Sequence, residues 1–208
     1  MSSHAASRVA RPSRARVRRR RLALVVVTAL LGVSCAALVS GLGEEAVREI
    51  TLPLHHDDII RQQASQKGLD PALIAAVIYE ESRFRDQTSH AGARGLMQIT
   101  PDTADFIARQ SGGYRFKQSD LATPQINIAY GSYYLRYLID HYGGSETLAV
   151  AAYNAGFGNV DNWVDKAGGA SEFKSVDHIP FPETRAYVEN VMERRGEYRD
   201  NYAGDLGL

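Results

Sequence analysis

The chain has 208 residues, 44% of them hydrophobic, with 24 basic and 24 acidic residues summing to zero net charge. That length accommodates one domain with extra segments at its ends. The zero hides a division: eight Arg stand in residues 1–21 without an acid, and residues 22–208 carry a net −8. A basic tail on a mildly acidic body argues against nucleic acid as a partner, because phosphate binding calls for a basic face on the folded part.

Residues 1–21 read as a cytoplasmic basic tail, and 22–42 as a membrane-spanning signal anchor, a run of 21 residues without a charge. About 20 such residues cross a bilayer, and the Arg cluster before them places the N-terminus inside and the rest of the chain outside. The run is longer than the roughly 7–15 apolar residues of a cleaved signal peptide. Cys35, in Leu31-Gly32-Val33-Ser34-Cys35, offers a lipoprotein anchor as the alternative. Gly32 stands where a lipoprotein box usually has a larger apolar residue, and the apolar run continues past the Cys.

Residues 43–54 read as a linker, and from there the pattern is helical, without sustained strand alternation or an internal repeat. A first helix is predicted over 55–67, stopped by Gly68. His55-His56-Asp57-Asp58 at its start is not a metal pattern, since consecutive residues project in different directions. Asp70-Pro71 opens the second helix, which runs to about Phe84. Arg85–Gly95 is a polar loop, and Thr100-Pro101 starts a helix that Gly112-Gly113 ends. Thr123-Pro124 opens a long helix over 125–142. Ser145 caps 146–155, apolar enough to be central to the core. A Gly-, Ser- and Lys-containing loop follows, then a last helix from Pro182 to about Arg195, leaving 200–208 as a C-terminal tail. The domain spans 55–199 and is all-α.

Two adjacent acids, Glu80 and Glu81, end the second predicted helix. Neighbours on a helix point about 100° apart, so they face different surroundings. Glu81 follows Ile78, Val77, Ile74 and Leu73 by three, four, seven and eight positions and so continues an apolar stripe, whereas Glu80 sits at its edge. A carboxyl at the end of such a stripe is desolvated and retains a proton at higher pH, which suits a general acid acting on a glycosidic oxygen. The competing reading is a pair of solvated helix-end charges, with Glu81 bound to Arg85.

Gly92-Ala93-Arg94-Gly95-Leu96-Met97-Gln98 combines two turn glycines with an amide suited to sugar hydroxyls. Ala152-Tyr153-Asn154-Ala155-Gly156 brings two polar tips to the end of the most apolar helix. Together with Glu81-Ser82-Arg83-Phe84 and Glu183-Thr184-Arg185-Ala186-Tyr187-Val188, these segments stand in the order and spacing of four known motifs. The set resembles the catalytic domain of lytic transglycosylases of the soluble type, related in fold to goose-type lysozyme.

The resemblance implies a lysozyme-like fold in which Glu81 is the sole catalytic acid and base. Ser82 and Ser89 belong to the turn and loop beside it, Met97 and Gln98 line the sugar groove, Tyr153 and Asn154 contact the sugar beside the scissile bond, and Tyr187 sits near the acid. It further implies peptidoglycan glycan strands as substrate and no metal or cofactor, and the chain reads as a monomer whose tether, through residues 22–42, is the cytoplasmic membrane. The stretch between Phe84 and Gly92 is about one residue shorter than is usual for the family, and Asp86 stands where Pro is frequent. With one acid, the muramyl acetamido group would assist and the C6 hydroxyl would close on C1 to give 1,6-anhydro-N-acetylmuramic acid. The alternatives are hydrolysis of the same bond, as in a lysozyme-like muramidase, and glycan binding without catalysis.

Overall fold

The computed structural model describes residue 43 and residues 45–208 except 114 and 174. The basic tail, the 22–42 span and Cys35 lie outside the described residues, among which no helix is long and apolar enough to cross a membrane. Residues 45–51, in the expected linker, are helical, and Leu52–Leu208 form a separate compact unit.

Among the described residues, the regular elements of that unit are all helices. In chain order its helices are α1 (Asp57–Lys67), α2 (Pro71–Ser82), α3 (Pro101–Ser111), α4 (Pro124–His141), α5 (Glu146–Ala155), α6 (Phe157–Ala167) and α7 (Pro182–Leu206). The start signals act as the sequence indicates. The Asp70 carboxylate accepts from Ala72 N, Thr100 Oγ1 from Thr103 N and Ser145 Oγ from Leu148 N, and Pro71, Pro101 and Pro124 occupy first-turn positions where no N–H is needed. Thr123 makes no side-chain cap.

Two stretches differ from expectation. The predicted loop after Gly156 contains α6, whose Val160 and Trp163 are buried one turn apart. The predicted tail 200–208 is the end of α7, which bends at Tyr202 (φ −133°) and buries Tyr198, Tyr202 and Leu206. The hydroxyls of Tyr198 and Tyr202 donate to Pro53 O (2.7 Å) and Leu52 O (2.8 Å), fastening the start of the unit to its end.

Helix α2 is central, and residues 72–79 are all buried, so its core contacts surround it rather than forming one stripe. It packs along α7, while α5 touches α4, α6 and α7. Asp70 links three of these elements. Beside its capping bond, the carboxylate receives Arg195 and Arg199 (3.1 Å) from α7, and Arg195 also reaches Glu146 of α5 (2.6 Å). Its side chain is only 7% exposed. Replacing it strips the cap and leaves Arg195 short of a partner, so Asp70→Ala is expected to cost about 3 kcal/mol in urea denaturation. A loss below about 1 kcal/mol, the size typical of surface pairs, would show that the cluster does not hold α2 to α7.

Candidate active site

Glu81 occupies the last turn of α2, which ends without a glycine. Arg83 (φ 51°) and Phe84 (φ 58°) both take left-handed backbone, an uncommon conformation for side-chain-bearing residues. Phe84 is nevertheless buried, its ring meeting those of Tyr198 (6.2 Å) and His55 (5.9 Å). The sharp exit leaves Glu81 at the rim of the core and sends the following loop back across it.

The two glutamates face different chemistry on α7. Glu80 lies beside Arg194 (3.7 Å) and Asn190 (3.5 Å). Glu81 Oε1 accepts from the Tyr187 hydroxyl at 2.7 Å. Arg85 does not reach the Glu81 carboxylate; its guanidinium turns to Ser82 O (3.4 Å). Burial pushes the Glu81 carboxyl up to about 7; the Tyr187 hydrogen bond opposes that shift, and the Glu80 charge adds to it. Burial, and next the Glu81 charge, hold the Tyr187 and Tyr153 phenols well above their ordinary range, so both remain donors at neutral pH.

The loop beneath the acid is fixed from below. Asn127 of α4 is fully buried, accepts from Met97 N (2.8 Å), and donates to Arg94 O (2.9 Å) and Leu121 O (3.0 Å). Gly95 (φ +75°) has no room for a side chain, because a Cβ would lie 2.2 Å from Asn127 Nδ2. Ser82 Oγ donates to Leu96 O (2.7 Å), and the Tyr153 hydroxyl donates to Met97 O (2.9 Å). Side-chain hydroxyls thus tie the ends of α2 and α5 to the carbonyls of one loop.

Of the sequence-predicted residues, Glu81 and Tyr187 meet directly, and Ser82 and Tyr153 meet the loop. Ser82 is buried, so its hydroxyl positions the Leu96 carbonyl. Met97 corrects the expectation of a groove-lining side chain: it is fully buried, packed where a Cβ on Gly131 would come within 2.3 Å of its Sδ. Gln98 (φ 45°) commits its amide nitrogen to Gln87 O (3.0 Å) and Gly95 O (2.8 Å), bonds that hold the side chain against its own loop. Asn154 is exposed, with Oδ1 accepting from Thr184 Oγ1 (2.8 Å). Ser89 closes its own loop, accepting from Ala93 N (3.1 Å).

Sequence reasoning missed Asn127 and Thr184. An Asn facing inward beside Ile128 on α4, four residues before Gly131, was the available sign of the first. Thr184 lay inside a quoted motif without a role; it is buried and orients Asn154.

The Glu81 pKa gives a stability signature. The carboxyl ordinarily ionises near 4.5 and here near 7. Between those values the folded protein holds a proton that the unfolded chain has released. The contribution is therefore fully present below about 4.5 and is lost as pH rises through about 7. Glu81→Gln imitates the protonated acid at every pH. Urea titrations should find it matching the parent near pH 4 and exceeding it by about 3 kcal/mol at pH 8. A difference that does not change with pH would mean that Glu81 is well hydrated.

Comparison with known proteins accords with this geometry. Residues 58–176 match the transglycosylase SLT domain. The soluble lytic murein transglycosylase of Escherichia coli is 36% identical over 155 residues, covering 73% of this chain and 24% of that protein. The membrane-bound lytic murein transglycosylase C of Actinobacillus pleuropneumoniae is 30% identical over 166 residues, covering 67% of this chain and 44% of that protein. Among solved structures, the 70 kDa soluble lytic transglycosylase of Escherichia coli superposes with a TM-score of 0.69 at 34% identity, over 76% of this chain and 26% of that one. The chain spans about a quarter of the length of the soluble relatives it matches. With residues 58–176, more than half of its length, matching that model, the chain belongs to the transglycosylase SLT domain family.

Proposed function

We propose that the chain is a membrane-anchored lytic transglycosylase that cleaves the β-1,4 bond between N-acetylmuramic acid and N-acetylglucosamine in peptidoglycan. The observation that carries this reading is the half-buried Glu81 carboxyl, held by the Tyr187 hydroxyl and pushed up by burial to about 7, while the neighbouring Glu80 turns to Arg194. An acid that keeps a proton on much of its population at neutral pH, with no second carboxylate bonded to it among the described residues, suits substrate-assisted chemistry better than a two-carboxylate mechanism. The family relatives, which bear the names of murein transglycosylases, support the same substrate class.

In the proposed reaction Glu81 gives its proton to the glycosidic oxygen as the C1–O bond breaks. The acetamido carbonyl of the muramyl sugar stabilises the electron-poor C1. Glu81, now ionised and held by the Tyr187 hydroxyl, takes the proton of the C6 hydroxyl as O6 bonds to C1. The proton balance closes on Glu81, and no water is consumed. Gln98, Asn154 and Tyr153 hold the sugars beside the scissile bond, while Ser82, Ser89 and Met97 support the loop beneath. The chain works as a monomer tethered through residues 22–42, with the catalytic unit on the extracytoplasmic side. A relative that bears the name of a membrane-bound enzyme supports the tether.

Digestion of purified peptidoglycan should release products about 18 Da lighter than those of hydrolysis, the mass of one water. Products with water added would make the chain a muramidase. Because the acid must enter protonated, kcat/KM should fall about tenfold per pH unit above pH 7. Tyr187→Phe removes the bond that favours ionised Glu81, so it should lower kcat roughly ten- to hundredfold and move that falling limb to higher pH. A limb that stays in place would separate Tyr187 from the titration of Glu81. For the tether, Cys35→Ala should remain in the membrane fraction after cell breakage. Its release into the soluble fraction would instead assign the anchor to a lipid on Cys35.

A further inference from the structure

Helix α7 sends two hydroxyls to the candidate site from one face. Thr184 and Tyr187 stand three residues apart and are therefore neighbours on the helix surface. Tyr187 donates to the Glu81 carboxyl group at 2.7 Å, and Thr184 donates to Oδ1 of Asn154, in the last turn of α5, at 2.8 Å. Asn154 follows Tyr153, whose hydroxyl holds the Met97 carbonyl at 2.9 Å. The start of α7 is itself fixed. Arg185 donates from Nη2 (2.8 Å) and Nε (3.3 Å) to the carbonyl of Ile179, a fully buried residue.

A structural tie between α5 and α7 does not account for the Thr184 bond. Thr184 is 3% exposed, and burying a hydroxyl costs free energy that a valine of the same shape would avoid. A helical threonine commonly satisfies its hydroxyl on a carbonyl one turn earlier. This one reaches across to the side chain of an exposed residue, and a bond to a hydrated partner adds little stability. What the bond does fix is polarity. An Asn side chain has an acceptor end and a donor end. With Oδ1 held by Thr184, the amide turns Nδ2 outward, where no described residue accepts from it.

We propose that Thr184 is a positioning residue, which fixes the Asn154 amide so that it offers the glycan N–H donors and thereby selects a carbonyl oxygen as their partner. The proposal rests on the glycan-cleaving reading above. A sugar hydroxyl both donates and accepts, so it would be served by either end of a freely turning amide. A carbonyl oxygen accepts only, so holding the amide in one orientation has a consequence for it alone. The N-acetyl groups of the strand supply such oxygens. Thr184 acts on them only through Asn154, as the buried side chain does not reach the surface itself.

The test is steady-state cleavage, by the full chain, of soluble glycan strands freed of their peptides, with kcat and KM obtained separately. Thr184→Val should raise KM roughly fivefold and change kcat less than about twofold. Thr184→Ser, which retains the hydroxyl, should restore the parent KM. Asn154→Asp keeps the bond from Thr184 but turns an oxygen outward, so KM should rise by more than about tenfold; this exposed position reports on the amide even if Thr184→Val does not fold. Thr184→Val added to Asn154→Ala should change KM no further, a non-additivity that a purely structural role would not produce. A KM indifferent to Thr184→Val overturns the proposal, as does a parent-like KM in Asn154→Asp or a full further loss in the Asn154→Ala background. If the parent chain releases no products from the strands, the glycan-cleaving reading fails and the proposal falls with it, an outcome distinct from the others.

Discussion

A carboxyl group that is to deliver a proton near neutrality has to be kept from water without losing its exit toward a substrate. Packing of α2 along α7 meets that demand for Glu81. Helix α2 is surrounded by other side chains over 72–79, and its last turn emerges where the Tyr187 hydroxyl approaches at 2.7 Å. Burial favours the protonated acid, and the phenol moderates the shift instead of reinforcing it. A group held between those influences can both release and recover a proton, which a single residue acting first as acid and then as base requires.

Much of the remaining architecture keeps that junction in place. Arg195 and Arg199 clamp α7 to the N-cap of α2 through Asp70, while Arg194 takes up the charge of Glu80 one residue from the acid. Arg194 also lies over the Tyr79 ring at 4.8 Å. Beneath Glu81, the loop that carries Met97 and Gln98 is positioned by Asn127 from α4, by Ser82 from α2 and by Tyr153 from α5. Several residues of the quoted motifs therefore act through the backbone. Ser82, Met97 and Thr184 are buried, whereas Glu81, Gln98, Tyr153 and Tyr187 remain half-buried at the surface.

The sequence was most legible where local chemistry decides. Asp70-Pro71, Thr100-Pro101, Thr123-Pro124 and Ser145 mark helix starts because a cap, a proline or both act within one turn, and the observed helices begin there. Helix α6 was hidden by its Gly, Asn and Asp residues, although Val160, Trp163, Val164 and Ala167 follow helical spacing. Gly196 and Gly204 similarly masked the end of α7, despite Tyr198, Tyr202 and Leu206 recurring every four residues. A stripe does not separate Glu81 from Glu80, since 72–79 are buried all round; their difference is tertiary, with a phenol facing one and a guanidinium the other. Met97 was misplaced because a motif gives a residue's proximity to a site and not the side of the loop on which it points.

These relations make the ionisation of Glu81 the quantity on which the account turns. It can be measured by carbon NMR of the full chain labelled at the glutamate side-chain carboxyl carbons, with the Glu81 signal assigned from its loss in Glu81→Gln. The account requires that signal to titrate with a midpoint near 7. A midpoint near 4.5, the ordinary value, would show that α2 and α7 leave the carboxyl in water and would contradict the proton-donor role proposed for it.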